Sequence, residues 1–205
     1  MRILLSFCLV LLLQFSPWAK PVNEDTSRYL TYAYSTDIRI NYERIGHGYK
    51  KIVLIDGFET SLHIWDDLIE LFPKDEFTLF ILDMKGIEKS SELAKTNNIF
   101  QEQTDIVVQF IKDVNADTLY LIGHSTGGTV AVLTQITLIN ENNNPGISKL
   151  ILIDCKENIA YSFITTNIQI DQTEYDKIID GCGRVPQEEK PRGTFEKIYS
   201  FIGKH

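Results

Sequence analysis

The chain has 205 residues, 43% of them hydrophobic and 23% charged, which is the composition of one globular domain with ample material for a core. Its formal charge of −8 excludes a nucleic-acid binder, because no basic patch is available to offset phosphate repulsion. The acidity is spread along the chain and reads as a solvated surface.

The first nineteen residues stand apart. Arg2 is followed by ILLSFCLVLLLQF, Ile3 to Phe15, a run short for a bilayer span and suited to the apolar region of a signal peptide. Ser16, Pro17 and Ala19 supply a helix break and a small residue, so cleavage is expected after Ala19, with residues 20–205 as the mature domain outside the cytoplasm. An uncleaved anchor is the alternative. Cleavage would leave no stable membrane span. Cys8 falls within the signal, so Cys155 and Cys182 are the cysteines of the mature chain, and both a disulfide and two buried thiols remain open. His47, His63, His124 and His205 are scattered without metal-ligand spacing, and nothing in the sequence asks for a metal or cofactor.

After a polar lead-in, IRINYER at Ile38 to Arg44 alternates as a half-buried strand does. Ile52 to Ile55 is a continuous apolar run ending in DGF, Asp56 to Phe58. Ser61 to Phe72 carries Leu62, Trp65, Leu68, Ile69 and Phe72 at helical spacing, stopped by Pro73. Phe77 to Leu82 is a second apolar strand, followed by DMKGIEKS. Glu102 to Val114 is an amphipathic helix, and Thr118 to Ile122 a strand that runs into GHSTGG. A helix spans Thr126 to Asn140, a loop Asn140 to Gly146, and a last clear strand is KLILID, Lys149 to Asp154. Short apolar strands alternating with helices predict an α/β fold, a mostly parallel central sheet with helices on both faces. Ligands in such sheets bind beyond the carboxyl ends of the strands, where Asp56, Asp83, Ser125 and Asp154 all fall.

The serine of LIGHSTGGT, Leu121 to Thr129, lies between a strand and a helix at the spacing G-x-S-x-G. That context makes it a nucleophile candidate. A sharp turn presents the hydroxyl, Gly123 and Gly127 give clearance, and the amide of Thr126 at a helix N-terminus is placed to stabilise an oxyanion.

On these residues the chain resembles the α/β-hydrolase fold family from about Arg39 onward. GHSTGG matches the family's nucleophile elbow. DGFE, Asp56 to Glu59, takes the place of its H-G-F-G segment, and DMKGIEKS, Asp83 to Ser90, that of D-x-[RK]-G-x-G-x-S. The resemblance implies an esterase-like or acyl-hydrolase chemistry on a small ester or amide, with Ser125 as nucleophile and the amides of Phe58 and Thr126 as the oxyanion hole. It also implies a catalytic histidine in G-x-G-H near the C-terminus, where this chain has GCGR with Arg184. An arginine stays protonated and cannot accept the serine proton.

Only twenty residues separate Asp154 from Tyr175, too few for a cap plus a strand and helix, so the cap and about one strand are expected to be missing. Asp154 is then the candidate acid, against the plainer reading of an aspartate that caps a loop. SFITTNIQI, Ser162 to Ile170, is rich in β-branched residues and offers a substitute strand. Glu59, Glu88 and Asp56 put acidic groups where the family has glycines or a histidine, and are expected to weaken the site. The sequence thus implies an exported serine hydrolase with an impaired triad, or a non-catalytic descendant acting as a binding protein.

Overall fold

The computed structural model describes residues 29–35, 38–57, 62–84, 98–141, 147–154 and 185–203. The proposed signal segment, Phe58, Glu59, Glu88, Cys155, Cys182, Arg184 and the stretch 162–170 lie outside the described residues.

Six strands form one sheet: β1 (Tyr29–Ala33), β2 (Arg39–Gly46), β3 (Lys50–Ile55), β4 (Phe77–Asp83), β5 (Leu119–His124) and β6 (Ile147–Ile153). Their spatial order is β1-β2-β4-β3-β5-β6. β4, β3, β5 and β6 run parallel, while β2 is antiparallel to both β1 and β4. The sheet is therefore mostly parallel, as expected. Every residue of β4 and β5 is buried. That is why these strands read as unbroken apolar runs rather than alternations.

β1 falls within the stretch whose sequence is a polar lead-in. Five residues are too few for a periodicity to show, and the strand exists through its partners. Tyr32 packs edge-on to Phe110 at 5.2 Å and donates from its hydroxyl to Asp113 Oδ2 at 2.5 Å, while Gln109 donates to Asp113 Oδ1. Burial, followed by the hydrogen bond and charge of Asp113, pushes the Tyr32 phenol well above its ordinary value of 10. The sign follows directly. Above about pH 10 the unfolded chain releases a proton that the folded chain keeps, so stability falls as pH rises. Tyr32→Phe is expected to cost about 2 kcal/mol at neutral pH and to flatten that alkaline decline. Urea unfolding at neutral pH and at about pH 11 measures both.

Helices cover both faces. On one side lie α2 (Ile99–Val114) and α3 (Thr126–Asn140), whose Val107, Phe110, Ile111, Val130 and Ala131 pack on Val53, Ile55, Phe80 and Leu121. α2 begins at Asn98, whose side chain accepts from Gln101 N, and ends at Asn115 in a left-handed turn. The other face carries a 3-10 turn (Leu62–Trp65), α1 (Asp66–Ile69), α4 (Pro186–Glu189) and α5 (Pro191–Ile202). There Trp65, Leu68, Ile69 and Phe72 meet Ile52, Leu54, Phe77, Ile198 and Ile202.

The helix expected over Ser61 to Phe72 is shorter in the structure. Beyond Ile69 the chain tightens into i to i+3 bonds, from Leu71 N to Leu68 O and from Phe72 N to Ile69 O. This drops Phe72 between Phe77 and Phe195 in edge-on contacts at 5.3 and 5.0 Å. Among the described residues, no helix is long and apolar enough to cross a membrane.

Candidate active site

β5 delivers the serine. The strand ends at His124 and α3 starts at Thr126, so Ser125 alone makes the turn between them. Its backbone sits at φ 52°, ψ −121°, a conformation that a residue with a Cβ resists. Two glycines make the turn possible. A Cβ on Gly123 would come within 2.5 Å of Gly128 Cα, and one on Gly127 within 2.4 Å of Asp56 O and 2.5 Å of Ile55 O. The helix thus rests directly on the end of β3. Ser125 N–H donates to Ile153 O at 2.9 Å and Ser125 O accepts from Gly128 N at 3.1 Å, which pins both sides of the strained residue.

The serine side chain makes no capping bond to α3. Thr126 is the first residue of that helix, where the dipole favours negative charge. This is the setting an oxyanion donor requires.

Asp154 follows β6 immediately. Its neighbour Ile153 is in register with His124, so the structure brings Asp154 and Ser125 to the same end of adjacent parallel strands. Asp154 is exposed and has φ 47°. Arg184 and Phe58 lie outside the described residues. Val185, the neighbour of Arg184, packs against the core on the Trp65 and Phe77 face of the sheet, as do Phe195 and Ile151.

The described histidines occupy three places. His47 is exposed ahead of β3, and His63 is exposed beside Asp66, 2.9 Å away. His124 is 3% exposed, edge-on to Trp65 at 6.3 Å, with Nδ1 3.4 Å from Asp56 Oδ1. It is a buried packing residue under the turn, as its place before the serine implies.

Asp56 has a packing role beside the charge that the sequence assigns to it. The sequence suggested that its charge would weaken an oxyanion site. In the structure the side chain is 3% exposed, and Oδ1 accepts from Gly57 N at 2.5 Å as well as facing His124. The carboxylate serves the turn that holds it. The sequence shows part of the signal, since Asp56 follows one apolar strand directly and His124 ends another; the structure adds that β3 and β5 are neighbours. Among the described residues no cluster of three or more His, Cys, Asp or Glu is placed to hold a metal ion.

A mostly parallel sheet with a strained serine between strand and helix at its carboxyl end defines the nucleophile-elbow class of α/β proteins. The family model described as "alpha/beta hydrolase fold" matches residues 50–174, and the chain belongs to that family. The dihydrolipoyllysine-residue acetyltransferase component of the acetoin cleaving system of Cupriavidus necator is 33% identical over 110 residues, covering 53% of this chain and 28% of that protein. Among solved structures, an epoxide hydrolase of Vigna radiata superimposes with a TM-score of 0.53 at 13% identity, over 61% of this chain and 39% of the other. A bromoperoxidase of Bacillus anthracis gives a TM-score of 0.50 at 24% identity, over 58% and 41%. These likenesses show the fold. The chain spans about two fifths of the solved structures' length and less than a third of the curated relative's.

Proposed function

We propose that this protein is an exported serine hydrolase of the carboxylic-ester type with a weakened proton acceptor. The observation that carries the proposal is the backbone of Ser125, a non-glycine residue held at φ 52° by two glycine clearances and two main-chain hydrogen bonds. A protein retains such strain where the displayed side chain is used.

In the proposed reaction Ser125 Oγ attacks the carbonyl carbon of a small ester or amide. The oxyanion is received by the Thr126 amide and, by family resemblance, that of Phe58. The alcohol or amine leaves, and water then releases the acid from the serine ester. With Arg184 at the position the family gives to histidine, the serine proton passes to solvent water or hydroxide, and the departing alcohol or amine takes its proton from solvent. Asp154 is the candidate acid partner. Loss of a triad base costs on the order of 10⁶ in kcat, leaving about 10³ to 10⁴ over water from oxyanion stabilisation and binding. The Cupriavidus necator relative is by its name an acetyl-transferring component, which fits acyl chemistry at this site.

The arginine also favours a second reading, a non-catalytic binding protein on the same scaffold. A fluorophosphonate probe separates the two. The first reading expects slow labelling of Ser125 that disappears in Ser125→Ala, with little steady turnover of p-nitrophenyl acetate. No labelling at any probe concentration would establish the second, and brisk turnover would overturn the weakened acceptor. Arg184→His is expected to raise turnover by no more than about a hundredfold, since the missing base costs about 10⁶ in kcat and an imidazole deprived of its carboxylate still falls short by about 10⁴. Full recovery would show that Asp154 or another carboxylate already completes the triad.

A further inference from the structure

We propose that Asp56 and His124 form a buried positioning pair that sets the spacing between the serine turn and the end of β3. The pair deepens the acyl-transfer reading above, and its geometry is also testable without it. Asp56 touches both halves of the site. Its main-chain carbonyl backs onto Gly127, close enough that any side chain there would overlap it. Its carboxylate accepts from Gly57 N at 2.5 Å, fixing the peptide that leaves β3. The same oxygen faces Nδ1 of His124 at 3.4 Å, and His124 is bonded through the chain to Ser125.

One carboxylate oxygen therefore ties the peptide leaving β3 to the residue that precedes the nucleophile. Both side chains are 3% exposed, so this 3.4 Å contact is made away from bulk water, where polar contacts are screened less than at the surface. Trp65 stands edge-on to the imidazole at 6.3 Å and limits the ring's rotation from the helical face. With the ring proton on Nδ1, His124 donates to Asp56. The role assigned to both residues is structural. They hold the peptides of the serine turn and of the end of β3, and a displacement of about 1 Å at such a site costs up to about a hundredfold in rate.

The test compares Asp56→Asn with Asp56→Ala in the full chain. Asparagine keeps an oxygen able to accept from both Gly57 N–H and His124 Nδ1–H, whereas alanine keeps neither bond. Fluorophosphonate labelling of Ser125 is expected to slow at least about tenfold in Asp56→Ala and to stay within about threefold of the parent in Asp56→Asn. Thermal melts run in parallel show whether each variant is folded. Equal labelling of the parent and Asp56→Ala would overturn the proposal, as would an Asp56→Asn variant as slow as alanine while still folded.

A second readout needs no chemistry. In ¹⁵N NMR spectra the Gly57 amide proton is expected far downfield in the parent and in Asp56→Asn, and shifted upfield in Asp56→Ala and other folded variants lacking the oxygen. The His124 ring is expected as the Nδ1–H form. An unshifted Gly57 amide in Asp56→Ala refutes the pairing. If the parent protein is never labelled, the acyl-transfer reading fails, and the NMR comparison still decides the pairing.

Discussion

Gly127→Ala is expected to cost about 3 kcal/mol or more, which is the upper range for forcing atoms into a packed interior. The added methyl would lie 2.4 Å from Asp56 O and 2.5 Å from Ile55 O. Both obstacles are main chain, Ile55 the last residue of a strand hydrogen-bonded on either side and Asp56 the residue after it, so no rotamer change relieves the overlap. Helix α3 has to lift away from β3, and the Thr126 amide lifts with it. Urea unfolding should register the lost stability and the probe a loss of Ser125 labelling. A variant with parental stability and labelling would mean that the helix is not seated on the strand as described.

Ser125→Gly should behave in the opposite way. Glycine reaches φ 52°, ψ −121° without a Cβ to clash, so removing the side chain relieves about 1 to 2 kcal/mol of strain. Part of that gain is offset by the greater freedom of glycine in the unfolded chain, about 0.4 to 1 kcal/mol. The net expectation is a protein more stable by about 1 kcal/mol and wholly unreactive toward a fluorophosphonate. A Ser125→Gly protein less stable than its parent would show that the serine contributes more through its bonds than it costs in conformation.

Both arguments begin from residues that the sequence already singled out. The elbow was legible because an apolar strand, G-x-S-x-G and a helix occur in direct succession, and only one backbone path joins them. β3, β4 and β5 were legible because strands buried on both faces are mostly apolar and show no regular polar alternation. β1 was not, since Tyr29–Ala33 is defined by pairing with β2 and by a bond to Asp113, eighty-one positions away. The first helix ends earlier than its spacing predicts for a related reason. Phe72 keeps helical spacing, but its burial against Phe77 and Phe195 is obtained by a tighter turn.

The role of Asp56 shows where one-dimensional reading runs short. As a letter in DGFE it is an acid near an oxyanion site. Its effect depends on the direction of its side chain, and that direction is set by Gly57 N–H and by an imidazole sixty-eight residues further on. Arg184 is the converse case. Its chemistry is fixed by residue type alone, since a guanidinium is no proton acceptor wherever it stands.

The layer formed by Trp65, Phe72 and Phe77 has a consequence for how the protein is made. These rings are sealed by Phe195, Ile198 and Ile202 of α5, which leave the ribosome more than a hundred residues after the groups they cover. Until then one side of the nascent sheet stays greasy while the α2 and α3 side is already able to close. Such a half-finished intermediate invites capture by holdase chaperones or premature aggregation. Expression yield should accordingly depend on the residues of this closing helix more steeply than on any of equal burial in α2.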